Sequence, residues 1–464
     1  MRRLASDIRV LLAAYAVLLV AAALSLPLQL EEVLRLVGAT QHSFADVTKW
    51  SAQIPGAAPA GDYVQFVLLG ALGRSLLACR IFSIACGLAA GYFMLQLARQ
   101  ALVQQPLLAT GVFLLLPLQC RYAVNAQPDE LALLFLLLST ICYFRLIYEP
   151  SATAALLYGA FLLGGLYTAP FSYLPAIGYL LFLLLFIVQK HVRRAFWHAL
   201  PATVLPLLIY VPYLVWARHQ RADGWLYGGD SAAYAANMYQ KLWQAVSGGP
   251  GVTGYLLSSL LLIAAAVACW RSFRLSEAAT SKRIALFCLF GGFLSTIVIV
   301  LLIDSLTGAV FTLDQLLWLT PAAAVLTTAA FDWLQQQQRS MAWALALLIL
   351  LLSVYGDVRH FSSKSTTIAA VSATAKQQIS GDACIVFVSE ALSKAILTFS
   401  EPDLDHHECL DFFHRKIILA SHPYVREDQQ RDAESYFKGL NFLEKKRITV
   451  GCGQVIVIEQ SAGQ

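Results

Sequence analysis

Eleven apolar stretches constrain the fold of this chain more than any other feature of its sequence. A hydrocarbon core about 30 Å thick requires about 20 apolar residues for each crossing helix. On this criterion the 464-residue chain contains eleven predicted spans. They cover residues 8–28, 80–98, 107–122, 131–147, 154–168, 173–188, 197–217, 253–270, 284–303, 310–331 and 341–355. The sequence therefore predicts an all-α polytopic membrane protein.

The composition agrees with this class. Hydrophobic residues make up 58% of the chain and charged residues only 13%, whereas soluble domains carry about 25% charged residues. The net charge of +5 is distributed between the spans, so a basic patch for nucleic acid is excluded. The sequence contains neither a Walker loop nor a GxSxG motif, so it gives no support to ATP-driven transport or serine hydrolysis.

Basic residues favour one side of this arrangement. Lys and Arg concentrate in the short loops on the side of the N-terminus, which the positive-inside rule assigns to the cytoplasm. Two long outer loops then cover residues 29–79 and 218–252, and the odd number of spans places the C-terminus outside. We predict a transmembrane domain over residues 1–358 and a small extracytoplasmic α/β domain over residues 359–464. The composition is typical of a multi-pass protein of the bacterial cytoplasmic (inner) membrane.

The polar tail shows the patterns of a small α/β domain. Strands are predicted at residues 383–388, 415–420 and 455–459, a helix at 390–398 and a turn at 451–453. The tail has three cysteines, so an oxidising compartment permits one disulfide bond and leaves one cysteine over. The sequence does not select the pair among Cys384, Cys409 and Cys452.

Carboxylates at the outer membrane boundary are the first candidates for chemistry. They include Glu31, Glu32, Asp46, Asp62, Asp129 and Glu130. Charged groups near a bilayer are costly and are often functional, and paired carboxylates can supply a general base or hold a metal ion. The alternative for the Glu31–Glu32 pair is helix N-terminal charge favoured by the helix dipole. For Asp129 and Glu130 the alternative is the first turn of a helix that starts near Pro128.

Two arginines are the basic candidates on the same side. Arg80 and Arg121 each stand at the end of a predicted span, and a guanidinium fork suits a phosphate. Snorkelling toward lipid headgroups explains both positions equally well. The run Asp405-His-His-Glu-Cys409 is interpreted as a surface loop, because no known metal-ligand spacing is present. No residue is therefore predicted as a metal ligand, although a divalent cation is compatible with the acidic pairs.

The order of these features resembles the multi-spanning GT-C glycosyltransferases, in the bacterial branch similar to protein O-mannosyltransferases and aminoarabinose transferases. Their first outer loop opens with an acidic pair, as Glu31-Glu32 does here. A Pro-rich bend and an apolar patch follow, similar to residues 55–72. The segment Arg80-Ile-Phe-Ser83 resembles the start of their second span. The stretch over residues 116–130, with Pro117, Tyr122-Ala and Asp129, resembles the approach to their fourth span.

The resemblance implies inverting transfer of a sugar from a polyprenyl-phosphate donor to a lipid, glycan or protein acceptor at the outer face of the membrane. Glu31, with Glu32 as the alternate, would be the general base, and Arg80 or Arg121 would bind the donor phosphate. Asp129 would position the acceptor or the base. Glu130 and Asp46 would support the acceptor. The alternatives are a non-catalytic GT-C-like protein, such as a lipid-linked glycan transporter or an assembly subunit, and an oligosaccharide polymerase or ligase.

Overall fold

The computed structural model describes most of the membrane-embedded part of the chain and pieces of the tail. The described residues are 2–26, 30–53, 58–73, 75–220, 251–273, 280–307, 317–362, 368–379, 383–387, 416–421, 434–436, 438, 442–450 and 453–460. The predicted helix at 390–398 lies outside these ranges, and so does most of the outer loop 218–252. Cys409 and Cys452 also lie outside them.

The N-terminal half contains a first long helix, three short helices within the predicted outer loop 29–79, here called the outer helices, and a packed group of apolar helices. The helices are α1 (Arg2–Ser25), α2 (Leu30–Ala39), α3 (Phe44–Gln53), α4 (Pro59–Leu72), α5 (Leu76–Gln100), α6 (Pro106–Leu115), α7 (Pro117–Val124), α8 (Asp129–Tyr148), α9 (Ala152–Leu166) and α10 (Leu174–Leu184). A 3-10 turn over Pro170–Tyr173 connects α9 to α10. The chain has alternating long and short elements here because Pro, Gly and charged residues interrupt the apolar runs.

The second half continues with long helices and ends in a sheet. The helices are α11 (Lys190–Gln220), α12 (Gly251–Phe273), α13 (Thr280–Thr307), α14 (Thr320–Gln337), α15 (Arg339–Ser362) and α16 (Ile368–Gln378). The strands are β1 (Ala383–Phe387), β2 (Lys416–Ser421), β3 (Phe442–Val450) and β4 (Gly453–Gln460). The sheet has the order β1-β2-β4-β3, with β1 parallel to β2 and the other pairs antiparallel.

Every predicted span overlaps a helix in the described residues. Within those residues, seven helices are long and apolar enough to cross a membrane, and α6 with α7 makes an eighth if this pair, bent by 64°, is one span. The bend follows from Pro117, which cannot continue the hydrogen bonding of α6. Helices α9 and α10 and the apolar core of α12 are shorter. The chain is therefore a multi-pass membrane protein, while the count of eleven spans remains a prediction.

The outer segment before α5 folds into three short helices rather than one loop. The apolar patch predicted within residues 64–72 forms most of α4, which has fewer residues than a crossing helix needs. Gly61 brings α4 close to the turn before α8, since a Cβ atom built on Gly61 would overlap the Pro128 ring. The backbone N–H of Ala60 donates to the Tyr167 carbonyl over 2.9 Å. These contacts fix α4 against the start of α8 and the end of α9.

The tail confirms the predicted strands that the structure describes. Strands β1, β2 and β4 fall on the predicted segments, and their apolar residues Cys384, Ile417 and Ile456 form one core. Cys384 is disulfide-bonded, and its two possible partners in the tail lie outside the described residues. Strand β3 was not predicted, because Glu444 and the three basic residues that follow it hide its alternation.

Candidate functional site

A buried ion pair joins the first outer helix to the second long helix. Arg80 Nε donates to Glu32 Oε1 over 3.0 Å, and Arg80 Nη2 donates to Glu32 Oε2 over 2.9 Å. The Arg80 side chain is 1% exposed and that of Glu32 is 0% exposed. A bidentate arginine–carboxylate pair of this kind is both strong and geometrically specific. The fold thus brings together one of the predicted acidic candidates, Glu32, and one of the predicted basic candidates, Arg80.

The same two side chains also bind backbone groups. Arg80 Nη1 donates to the carbonyl of Ala23 over 2.8 Å and to that of Leu26 over 2.7 Å, at the C-terminal end of α1. Glu32 Oε1 accepts the backbone N–H of Ala126 over 2.7 Å. Four parts of the chain therefore meet at one charge pair: the end of α1, α2, α5 and the turn that precedes α8.

Local sequence explains how Arg80 and the turn reach this position. Ser75 caps α5 by accepting the Ala78 N–H over 3.2 Å, so Arg80 lies in the second turn of that helix. The Ser83 hydroxyl, one turn further, donates to the Gln127 carbonyl over 2.8 Å. Two residues one turn apart on α5 therefore fix the turn before α8. Arg80 binds Glu32, which accepts the Ala126 N–H, and Ser83 binds the Gln127 carbonyl directly.

The second predicted acidic pair lies beside this turn. Asp129 and Glu130 begin α8 and are 4% and 0% exposed. Glu130 Oε2 accepts from Gln119 Nε2 on α7 over 3.0 Å, and Glu130 Oε1 has no hydrogen-bond partner among the described residues. Gly87 of α5 packs against Glu130, with 3.5 Å between its built Cβ position and Oε2. Glu130 lies in the first turn of α8, as expected of a residue that interacts with the helix dipole. Its side chain is also fully buried with one oxygen unpartnered among the described residues, which a role at the helix start alone does not explain.

The remaining predicted residues are less central. Arg121 lies near the end of α7, partly exposed, with its guanidinium carbon 5.6 Å from the centroid of the Tyr122 ring. Asp46 lies in the first turn of α3, where Ser43 Oγ donates to its Oδ2 over 2.7 Å. Glu31 is a residue of α2, but its side chain lies outside the described part of the chain. Asp46 therefore has the geometry of a helix-cap residue.

A second buried acid locks the outer helices together. Asp62 of α4 accepts at Oδ2 from Arg35 Nη1 of α2 over 3.3 Å and from the Ser51 hydroxyl of α3. Burial raises the pKa of Asp62, and Arg35 and Ser51 offset only part of this effect. The sequence analysis recognised Asp62 but not its partners, because Arg35 and Ser51 lie 27 and 11 residues away from it and no local pattern connects them.

A metal centre does not emerge from the residues that the structure describes. No three His, Cys, Asp or Glu side chains of that part of the chain are placed to hold a metal ion. Glu32, Asp46, Asp62 and Glu130 accept hydrogen bonds from arginine, amide, hydroxyl or backbone groups. A divalent cation remains a prediction.

Comparisons with known proteins agree with this arrangement. Residues 56–216 match the family of dolichyl-phosphate-mannose-protein mannosyltransferases. Two solved structures of ArnT from Cupriavidus metallidurans are similar over almost the whole chain. The apo form has a TM-score of 0.57 at 13% identity and covers 98% of both chains. The form bound to undecaprenyl phosphate has a TM-score of 0.50 at 12% identity and covers 99% of both. No curated protein matches the sequence significantly.

The family match begins just before α4 and ends within α11, so it contains Arg80, the turn before α8 and the start of α8. The structural match extends to the C-terminal sheet, because it covers nearly all of both chains. The GT-C resemblance is therefore confirmed: the chain has the GT-C fold found in ArnT, with the mannosyltransferase family pattern over residues 56–216.

Proposed function

We propose that this protein is a membrane glycosyltransferase that transfers a sugar from a polyprenyl-phosphate donor to a hydroxyl-bearing acceptor. The observation that carries this proposal is the ArnT-like fold over 98% of the chain, combined with the mannosyltransferase pattern across α4 to α11. One of the similar ArnT structures binds undecaprenyl phosphate, which supports a lipid-linked donor for this chain. The lipid reaches the site from the bilayer, which is consistent with a site built at the ends of membrane helices.

The reaction is an inverting substitution at the anomeric carbon. The acceptor oxygen forms the new bond to that carbon while its proton passes to a carboxylate of the protein. The bond from the anomeric carbon to the phosphate oxygen breaks, and its electron pair leaves with the polyprenyl phosphate. Such base catalysis contributes about 10²- to 10⁴-fold to the rate, and a nearby cation stabilises the leaving phosphate.

The contacts of Glu32 support different roles for the two neighbouring glutamates. Both oxygens of Glu32 accept hydrogen bonds from Arg80, and one also accepts from Ala126. Breaking this pair would leave Arg80 as an uncompensated buried charge, so the contacts of Glu32 favour a structural role. We therefore assign Glu31 as the general base and Glu32 as the residue that positions α2.

The same reasoning separates the two arginines. Arg80 Nε, Nη1 and Nη2 are all occupied by Glu32 or by carbonyls of α1. Arg121 is partly exposed and lies in α7, which the turn over residues 125–128 connects to Asp129 at the start of α8. We assign Arg121 to the donor phosphate and Asp129 to positioning of the acceptor. The active side is the outer face of the bacterial cytoplasmic membrane, and the disulfide-bonded Cys384 supports an oxidising compartment for the tail.

The test uses the full chain in nanodiscs with a panel of polyprenyl-phosphate sugars. Release of free polyprenyl phosphate is followed by mass spectrometry for wild type, Glu31→Gln and the control Glu149→Gln. Glu149 is exposed at the opposite end of α8, so its variant should match wild type. Glu31→Gln should lower turnover at least 100-fold while donor binding remains. Full turnover by Glu31→Gln would remove the assigned base.

A non-catalytic GT-C-like protein is the second candidate function. The observation that favours it is the mutual neutralisation of Glu32 and Arg80, which removes two charged groups from chemistry. In the same nanodisc assay, such a protein would bind polyprenyl-phosphate lipid and release no polyprenyl phosphate from any donor.

A further inference from the structure

Three buried or half-buried side chains near the outer end of α11 have polar atoms without a partner among the described residues. They are Asp62 Oδ1, both amide atoms of Gln65, and the Tyr213 hydroxyl. Asp62 and Gln65 are 0% and 2% exposed and lie one turn apart on the inner face of α4. Tyr213 is partly exposed, and its ring lies 5.9 Å from that of Tyr167, whose carbonyl accepts the N–H of Ala60 at the start of α4. A buried polar atom without a hydrogen bond destabilises the folded chain, so their concentration at one place requires an explanation.

Aromatic rings surround Tyr213. Its ring centroid is 5.4 Å from that of Tyr210, 5.9 Å from that of Tyr167 and 5.8 Å from that of Trp216. Tyr167 also accepts the Ala60 N–H at its carbonyl, which connects this aromatic group to the start of α4. The unpartnered polar atoms therefore lie beside apolar ring surfaces.

We propose that Asp62, Gln65 and Tyr213 form a subsite for the hydroxyl groups of a sugar ring, with the aromatic rings against its C–H surface. This inference rests on the proposed function and adds where the saccharide binds. A sugar hydroxyl both donates and accepts. It can therefore bond to a carboxylate oxygen, to an amide and to a phenol. An acyl chain does not fit, because it would leave all of these polar atoms unpaired.

The saccharide comes from the donor or from the acceptor, and both present the same hydroxyl chemistry. The positions of α4 and α11 in the chain do not show whether the donor sugar or the acceptor saccharide binds here. Helix α4 follows α2 in the predicted outer loop, and the matched family region ends within α11. The experiment therefore has two arms. One uses undecaprenyl phosphate beside undecaprenyl-phosphate mannose and undecaprenyl-phosphate glucose. The other uses methyl mannoside and methyl glucoside.

The informative variants are Gln65→Leu and Tyr213→Phe in the full chain, because each removes polar atoms that have no partner in the described structure. A purely structural role would make them neutral or stabilising, so their melting temperatures should equal or exceed that of wild type. The matched control is Tyr173→Phe, which removes a hydroxyl that donates to the Thr203 carbonyl over 2.6 Å. This control should lower the melting temperature and leave ligand binding unchanged.

We expect each variant to bind the sugar-bearing ligand about threefold to tenfold more weakly, the loss that one neutral hydrogen bond produces. Weaker binding of the lipid-linked sugars with unchanged binding of undecaprenyl phosphate identifies the donor sugar. Weaker binding of the methyl glycosides alone identifies the acceptor saccharide. Wild-type affinity in both arms, or an equal loss for bare and sugar-bearing lipid, overturns the subsite. If wild type binds no polyprenyl-phosphate lipid at all, the proposed function fails first, so the two failures are distinguishable.

Discussion

The ion pair of Glu32 and Arg80 gives the sharpest stability prediction. Replacing Arg80 with Met leaves the Glu32 charge uncompensated at 0% exposure, together with two carbonyls of α1 that lose their donor. Removing one partner of a buried pair costs about 3–5 kcal/mol, and each orphaned carbonyl adds to that cost. We expect Arg80→Met and Glu32→Leu each to destabilise the chain by at least about 3 kcal/mol.

The double variant Arg80→Met/Glu32→Leu should be much less destabilised than the sum of the single variants. Replacing a whole buried pair with apolar residues of similar volume is often close to neutral, although the Ala23, Leu26 and Ala126 groups still lose their partners. Unfolding of the purified chain in detergent, followed by circular dichroism in a double-mutant cycle, measures this coupling. Additive losses within about 0.5 kcal/mol would refute the assignment of one shared buried interaction.

Two further variants test the outer helices. Gly61→Ala should destabilise the chain or displace α4, because the new Cβ atom overlaps Pro128. Gly70→Ala on the same helix meets nothing within 4 Å and should stabilise the chain by up to about 1 kcal/mol. Thermal unfolding compares the two variants, and equal melting temperatures would contradict the close approach of α4 to Pro128. The pKa of Asp62 is raised in the folded chain, so the unfolded chain loses this proton at a lower pH than the folded chain does. The free energy of unfolding of wild type, measured relative to that of Asp62→Asn, should therefore fall as pH rises through and above the ordinary Asp range. Unfolding at a series of pH values measures this trend, Asp46→Asn is the control, and a difference independent of pH would contradict the shift.

The sequence predicted the helices well because apolar runs in a membrane have few alternatives to helix. The tail strands were also predictable where apolar residues alternate or run together, as in β1, β2 and β4. Strand β3 was missed because Glu444 and Arg447, which form an exposed 2.7 Å ion pair, interrupt the pattern. Local patterns thus predicted the elements, but not the pairing of strands that are far apart in the chain, such as Ala383 with Lys416.

The roles within the site depended on contacts between distant parts of the chain. Glu32 and Arg80 are 48 residues apart, and Glu32 and Ala126 are 94 residues apart. A charged residue near the end of a span has the same sequence signature whether it binds a phosphate, a lipid headgroup or a buried carboxylate. Only the fold distinguishes these partners for Arg80, and only the fold connects Asp62 to Arg35 and Ser51.

The acidic pair, Arg80 and the turn before α8 follow one another in the sequence because they meet at one buried ion pair in the fold. The acidic pair, the arginine of the second long helix and the turn before α8 are far apart in sequence, yet Glu32 and Arg80 bring them to one point. A change at any of the three would move the other two, because the pair is buried and its hydrogen bonds leave little freedom. We therefore propose that Glu32 and Arg80 act on catalysis through position, and that Glu31 and Arg121 carry the chemistry. The Glu32→Gln variant tests this distinction: it should lower stability and turnover together, whereas Glu31→Gln should lower turnover alone.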